Sequence, residues 1–114
     1  MVNCLFCGIV KGEVKGSMVY QDSSVVAFKD INPKAPVHIL IVPRKHIATL
    51  LDLEPGDREL VGDVFAAASQ IACDQGIAEN GFRVVLNCGP GAGQSVYHIH
   101  FHLLGGRHFS WPPG

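Results

Sequence analysis

The chain has 114 residues, 47% hydrophobic and 17% charged, enough for one compact domain over residues 1–114 and too short for two of ordinary size. Its formal net charge is −1 and its lysines and arginines are scattered, which argues against an electrostatic platform for nucleic acid and leaves a nucleotide monomer open. No charged segment leads into an apolar stretch at the start, and no apolar run approaches the roughly 20 residues that cross a bilayer, so the expected setting is cytoplasmic, without membrane contact.

In chain order, residues 4–10 mix bulky apolar residues with a Cys-x-x-Cys and read as a short helix, and Gly12 and Gly16 bracket a turn before a strand at Met18-Val19-Tyr20. Residues 24–29 are rich in β-formers, and the prolines at 33 and 36 then forbid a regular ladder. Residues 37–42 form the next strand, stopped by Pro43, with His38, Leu40 and Val42 on one face. Asp52-Leu53-Glu54-Pro55 reads as a helix start. Leu60, Val64, Ala67, Ala68, Ile71 and Ala72 continue it at helical spacing as one long amphipathic helix ending near Gly76. Residues 82–86 are a further strand, 87–94 a glycine-rich loop, and 96–104 a last strand. Strands clustered around one long helix, rather than alternating with several, predict an α+β fold with an antiparallel sheet.

The last strand carries His98, His100 and His102, with Ile99, Phe101 and Leu103 between them. An extended backbone turns the imidazoles to one face and the apolar residues to the other. Imidazole exchanges protons, attacks electrophiles and binds metals near neutral pH, so chemistry is the first candidate; a solvated face or a metal tract is the bland alternative. In the loop ahead of that strand, glycines let a backbone approach an anion closely, and Asn87 and Ser95 add side-chain donors, so phosphate fits between loop and histidines. Cys4 and Cys7 supply half of a tetrahedral metal shell and need two more ligands, or else are two reduced thiols; Cys73 and Cys88 have no paired spacing.

The run His98-Ile99-His100-Phe101-His102-Leu103-Leu104 fits His-x-His-x-His-x-x with apolar x, and with Phe28-Lys29-Asp30-Ile31-Asn32-Pro33, Gly93-Gln94-Ser95-Val96 and the ending Trp111-Pro112-Pro113-Gly114 it resembles the histidine triad family, and in its tail the Hint branch of nucleotide-binding proteins. The resemblance covers nearly the whole chain from Cys4. It implies the histidine triad (HIT) fold, a five-stranded antiparallel sheet with one long and one short helix, joined to its copy as a ten-stranded sheet in a homodimer. It also implies hydrolysis of the P–N bond in purine nucleoside phosphoramidates, conjugates of AMP or GMP with an amine.

Carried over residue by residue, the resemblance makes His100 the nucleophile, transiently nucleotidylated and held by the carbonyl of His98. His102 contacts the phosphate and helps the amine leave protonated, and His38 steadies the site, although His38 also reads as an ordinary core histidine. Asp30 falls on the residue that holds the ribose hydroxyls, Asn87, Gly93 and Ser95 on phosphate-contacting positions, and Leu5, Phe6, Ile9, Phe28 and Ile31 on the purine pocket, where plain core packing is the competing account. Some family members complete a zinc shell on the cysteine pair with residues matching His46 and His98. Four protein ligands make such a zinc structural, leaving catalysis without a required cofactor. The cysteine pair is a departure from animal Hint proteins, which commonly lack it. Trp111, at an end that proline keeps out of the sheet, would lie near the partner's site and affect which amine is accepted; a frayed tail is the alternative. Competing functions are hydrolysis of diadenosine polyphosphates, removal of AMP from DNA ends, and a nucleotide-binding scaffold with incidental catalysis.

Overall fold

A computed structural model describes residues 4–114. Five strands form one antiparallel sheet in the order β1-β2-β3-β5-β4: β1 (Met18–Gln21), β2 (Val25–Lys29), β3 (Val37–Pro43), β4 (Phe82–Leu86) and β5 (Phe101–Gly105). A short helix, α1 (Leu5–Val10), and a long one, α2 (Arg58–Asp74), pack against it. The α+β expectation holds.

Strand alternation divides the apolar residues between two faces. Val25, Ala27, Ile39, Ile41, Phe101 and Leu103 point to one side, where Val64, Ala67, Ala68, Ile71 and Ala72 of α2 complete the main core. Val26, Phe28, Leu40 and Val42 point to the other and meet Phe6 and Ile9 of α1. The first face stabilises the fold, whereas the second, covered by only one and a half turns of helix, is left open for a site.

The long helix begins later than its sequence suggests. Thr49 and Asp52 close a capping box over a 3₁₀ turn at Leu50–Asp52, a second 3₁₀ turn at Pro55–Asp57 follows, and α2 starts only at Arg58. Its end is set by Gly76 (φ +74°): the amide of Ile77 donates to Ala72 and that of Gly76 to Cys73, the paired bonds of a Schellman turn. That turn drives buried Ile77 against β5, where a Cβ on Gly105 would lie 2.5 Å from Ile77 Cδ1. Gly105→Ala is therefore expected to lower stability by about 1–3 kcal/mol, the usual cost of overpacking; urea unfolding measures it, and a change below roughly 0.5 kcal/mol, the scatter of ordinary surface substitutions, would contradict the packing described.

The last strand is also shorter than expected. Only Phe101–Gly105 is laddered, although Ile99, Phe101 and Leu103 still alternate into the core. The partners run out: Ile41 and Leu86 pair with Phe101, and two residues beyond Ile41 stands Pro43, which has no amide to offer. Ile99 donates instead to the carbonyl of Ile47, 2.6 Å away. His98, in a bend, and His100 thus lie ahead of β5 and only His102 inside it. Among the described residues, no helix is long and apolar enough to cross a membrane.

Candidate active site

Because β3 and β5 are neighbours with Leu40 opposite His102, His38 and His102 share the face that α1 covers only in part. His38 Nε2 lies 2.9 Å from His102 Nδ1 and 3.3 Å from Asp30 Oδ2. The hydrogen bonds fix which nitrogen of each neutral ring carries the proton. The backbone amide of Lys34 donates to His38 Nδ1 (3.0 Å), so the proton of His38 is on Nε2. That Nε2–H donates to His102 Nδ1, which leaves the proton of His102 on its own Nε2. His100 Nδ1–H donates to the carbonyl of His98 (2.9 Å), so its lone pair is on Nε2. A bare nitrogen on His100 and an N–H on His102 therefore stand side by side, with ring centroids 5.1 Å apart.

Burial, reinforced by His100 and His38, pushes the pKa of His102 down to about 4, and burial also holds His38 and His98 below the ordinary histidine range. Asp30 works the other way on His38, favouring its charged form.

His98 turns away from this pair. Its side chain is fully buried, and its Nε2–H donates to the carbonyl of Pro43 (2.8 Å), leaving Nδ1 free. That Nδ1 is 3.5 Å from both Cys4 Sγ and Cys7 Sγ and 3.2 Å from His46 Nδ1, which is itself 3.2 Å from Cys7 Sγ. A tetrahedral zinc with bonds of about 2.0 Å to nitrogen and 2.3 Å to sulfur separates its ligand atoms by about 3.3–3.8 Å. The four side chains predicted for a metal are thus gathered at nearly the spacing that zinc requires, with a backbone carbonyl orienting one imidazole. Burial and the neighbouring Cys4 push the Cys7 thiol up, and a bound cation would reverse that by favouring the thiolate. A second group, Asp30, His38 and His102, also lies close together, but the Lys34 amide keeps a proton on the nitrogen that would have to ligate. It reads as a proton relay rather than a metal site.

The paired histidines close one end of a cavity of about 1020 Å³, at the upper end of the usual range for small-molecule sites. Leu5, Phe6 and Ile9 of α1, Phe28, Asp30, Ile31 and Ser95 line it with His100 and His102, so nine of the eleven residues assigned to a nucleotide meet around one space. Phe6 stands edge-on to both His100 (5.0 Å between centroids) and Phe28 (5.4 Å), which sets the floor beside His100. Ile31 is 92% exposed and forms part of the rim rather than a packed wall. Asn87 and Gly93 do not line the cavity: the loop departs from β4, on the far side of β5, and only its end at Ser95 and Val96 reaches the histidines. Trp111 is 82% exposed and is not one of the residues that line the cavity in this chain.

Three contributors escaped the sequence reading. Gln94 is buried and ties the glycine loop together, accepting from the amide of Gly89 and donating to the carbonyls of Ala48 and Val96. Gly8 lets the residues after α1 lie against it, since a Cβ there would come 2.6 Å from Val14 Cγ2, and Val14 is part of the cavity wall. A glycine inside a short helix was the available signal. Lys34 acts through its backbone amide, which no side-chain pattern reveals.

Comparison with known proteins agrees with this geometry. The family description "HIT domain" matches residues 11–109. The chain is 46% identical over 103 residues to the purine nucleoside phosphoramidase of Escherichia coli strain K12, covering 90% of this chain and 87% of that protein. It is 47% identical over 112 residues to the 14 kDa zinc-binding protein of Zea mays, covering 96% of this chain and 87% of that protein. A HIT family hydrolase from Legionella pneumophila, solved by crystallography, superposes with a TM-score of 0.96 at 50% identity, covering 98% of this chain and 100% of that one. With the triad, its supporting hydrogen bonds and these matches in agreement, the chain belongs to the HIT family.

Proposed function

We propose that the protein is a purine nucleoside phosphoramidase, a single HIT domain that hydrolyses AMP or GMP conjugates of amines through a nucleotidylated His100. The observation that carries this reading is the complementary pair at the end of the cavity: a lone pair on His100 Nε2 next to a proton on His102 Nε2. The named activity of the E. coli relative supports it.

The chemistry divides into two displacements. His100 Nε2 forms a bond to phosphorus, and the P–N bond breaks with its electron pair going to the amine nitrogen. The positive charge that develops on His100 is stabilised through Nδ1–H by the carbonyl of His98. The departing nitrogen takes a proton from His102. An anionic phosphoryl group beside the buried His38–His102 pair favours its charged form, so the pair takes up that proton as substrate enters. Asp30 Oδ2 is in place to accept the Nε2–H of His38 when His102 Nδ1 is protonated too. In the second displacement water attacks phosphorus, its proton goes to His102, and the nucleotide leaves with His100 regenerated.

Zinc on Cys4, Cys7, His46 and His98 is structural in this reading, because all four ligands come from the protein. A homodimer would form through β4. Of the two sheet edges, β1 carries an irregularity between Met18 and Tyr20 that blunts pairing, whereas β4 is regular along its length and leaves Phe82 partly exposed. Pairing there would build the ten-stranded sheet and bring each tail towards the other protomer, giving Trp111 something to cover. Amine release from AMP– and GMP–alkylamine phosphoramidates tests the activity, with diadenosine polyphosphate as competitor. Faster cleavage of the P–N compounds is expected, and cleavage of the polyphosphate alone would replace this reading with the other hydrolase.

A further inference from the structure

A line of hydrogen bonds joins the C-terminal tail to the histidine pair. Gly106 takes a positive φ (+88°) and lies against the loop between β2 and β3, where a Cβ would come 2.9 Å from Pro36 Cβ. That approach brings Arg107 to the loop, where its Nε–H donates to the carbonyl of Lys34 at 3.0 Å. The guanidinium is pinned on its other sides, with Cζ 4.3 Å from the centre of the Phe109 ring and Nη1 3.1 Å from the carbonyl of His108. Lys34, so held, donates its amide to His38 Nδ1. His38 then donates to His102.

We propose that Arg107 is a positioning residue for proton transfer, holding Lys34 so that its amide occupies His38 Nδ1 and the proton taken up with substrate is carried by His102, which presents it to the leaving amine. The proposal rests on the reading of His102 as the proton donor. Without the clamp, Lys34 can turn away and His38 can take the added proton on Nδ1. The charge would then rest on His38, whose Nε2–H still donates to His102, and His102 would face the amine as a neutral ring, a far weaker acid. The attack by His100 is untouched, since its Nδ1–H is held by a different carbonyl. Arg107 should therefore matter for leaving groups that need a proton and not for those that do not.

The test compares Arg107→Leu with the unaltered protein on an AMP–alkylamine phosphoramidate and on the p-nitrophenyl ester of AMP, whose leaving group departs as a stable anion. Expected is a fall of about tenfold in kcat on the amide, a fraction of what a general acid contributes, with kcat on the ester and KM on both within about twofold. With AMP bound, imidazole ¹⁵N spectra should show His38 protonated on Nε2 alone in the unaltered protein and on both nitrogens in the variant. Lys34→Pro, which deletes the amide proton itself, is the second variant and should give the same selectivity if Arg107→Leu does not fold. Equal losses on both substrates, or an unchanged His38 spectrum in a folded variant, would overturn the proposal. Should the unaltered protein fail to cleave phosphoramidates while the protonation of His38 still responds to Arg107, the positioning role stands and the functional reading falls.

Discussion

His100→Ala is expected to lower kcat on nucleoside phosphoramidates by at least about four orders of magnitude, since loss of one member of a reactive unit costs from about 10⁴ to 10⁶ in kcat. Nucleotide affinity should change only several-fold, because Phe6, Ile9, Phe28, Asp30 and the other residues that line the cavity are untouched. The size of the effect follows from the tautomers. His100 is the one imidazole of the triad whose free nitrogen is held towards the cavity, since His98 directs its own at the cysteines and His102 presents a proton. No neighbour can substitute for it without breaking one of those bonds. Steady-state kinetics with product titration measures the change, and a variant retaining a tenth of the activity would be incompatible with the mechanism.

The second large effect is expected at the cysteine pair. Exchanging both Cys4 and Cys7 for serine should reduce bound zinc from about one per chain to a trace, since hydroxyls are poor substitutes for thiolates. Stability should fall by several kcal/mol, as metal binding free energy contributes to folding. Activity should fall with it for a local reason. One residue does two things: the side chain of His98 faces the cysteines while its carbonyl holds His100 Nδ1–H. Loosening the first loosens the second, so kcat should drop by about tenfold or more even at temperatures where the variant remains folded, the scale seen when groups supporting a reactive centre are lost. Elemental analysis, thermal unfolding and kcat on the same preparation separate these effects. A metal-free, folded variant with full kcat would show that His98 holds its carbonyl in place without help from its ring.

Much of the fold was legible because periodicity reports directly on burial. β2, β3 and β4 lie where β-rich runs place them, and the residues of α2 that recur at helical spacing are those that meet the sheet. Two boundaries were misread for related reasons. The start of α2 is delayed by local hydrogen bonding at Thr49 and by Pro55, which stabilise 3₁₀ turns where propensity alone favours a helix. The histidine strand is shortened because a ladder needs partners, and whether Pro43 or a paired strand stands opposite is a tertiary fact.

The site was legible in unequal parts. Alternation predicted that the three histidines share a side, and the structure keeps Ile99, Phe101 and Leu103 in the core opposite them. Cys7 and His46 are 39 residues apart and Cys4 and His98 are 94 apart, so their meeting rested on family resemblance and not on spacing. Least legible was whatever acts through the backbone. The Lys34 amide, the Pro43 carbonyl and the Arg107 contact with Lys34 decide which nitrogen of which ring is reactive, yet any residue type supplies an amide or a carbonyl.

The most direct test of the account is to quench the protein with acid-free denaturant milliseconds after mixing it with an AMP–amine phosphoramidate, and to map the product by mass spectrometry. The account predicts a nucleotidyl group on the peptide containing His100, bonded to Nε2, forming before free AMP is released and disappearing as AMP appears. Free AMP arising at full rate with no adduct on that residue would mean that water attacks phosphorus directly, and the assignment of His100 as nucleophile would be wrong.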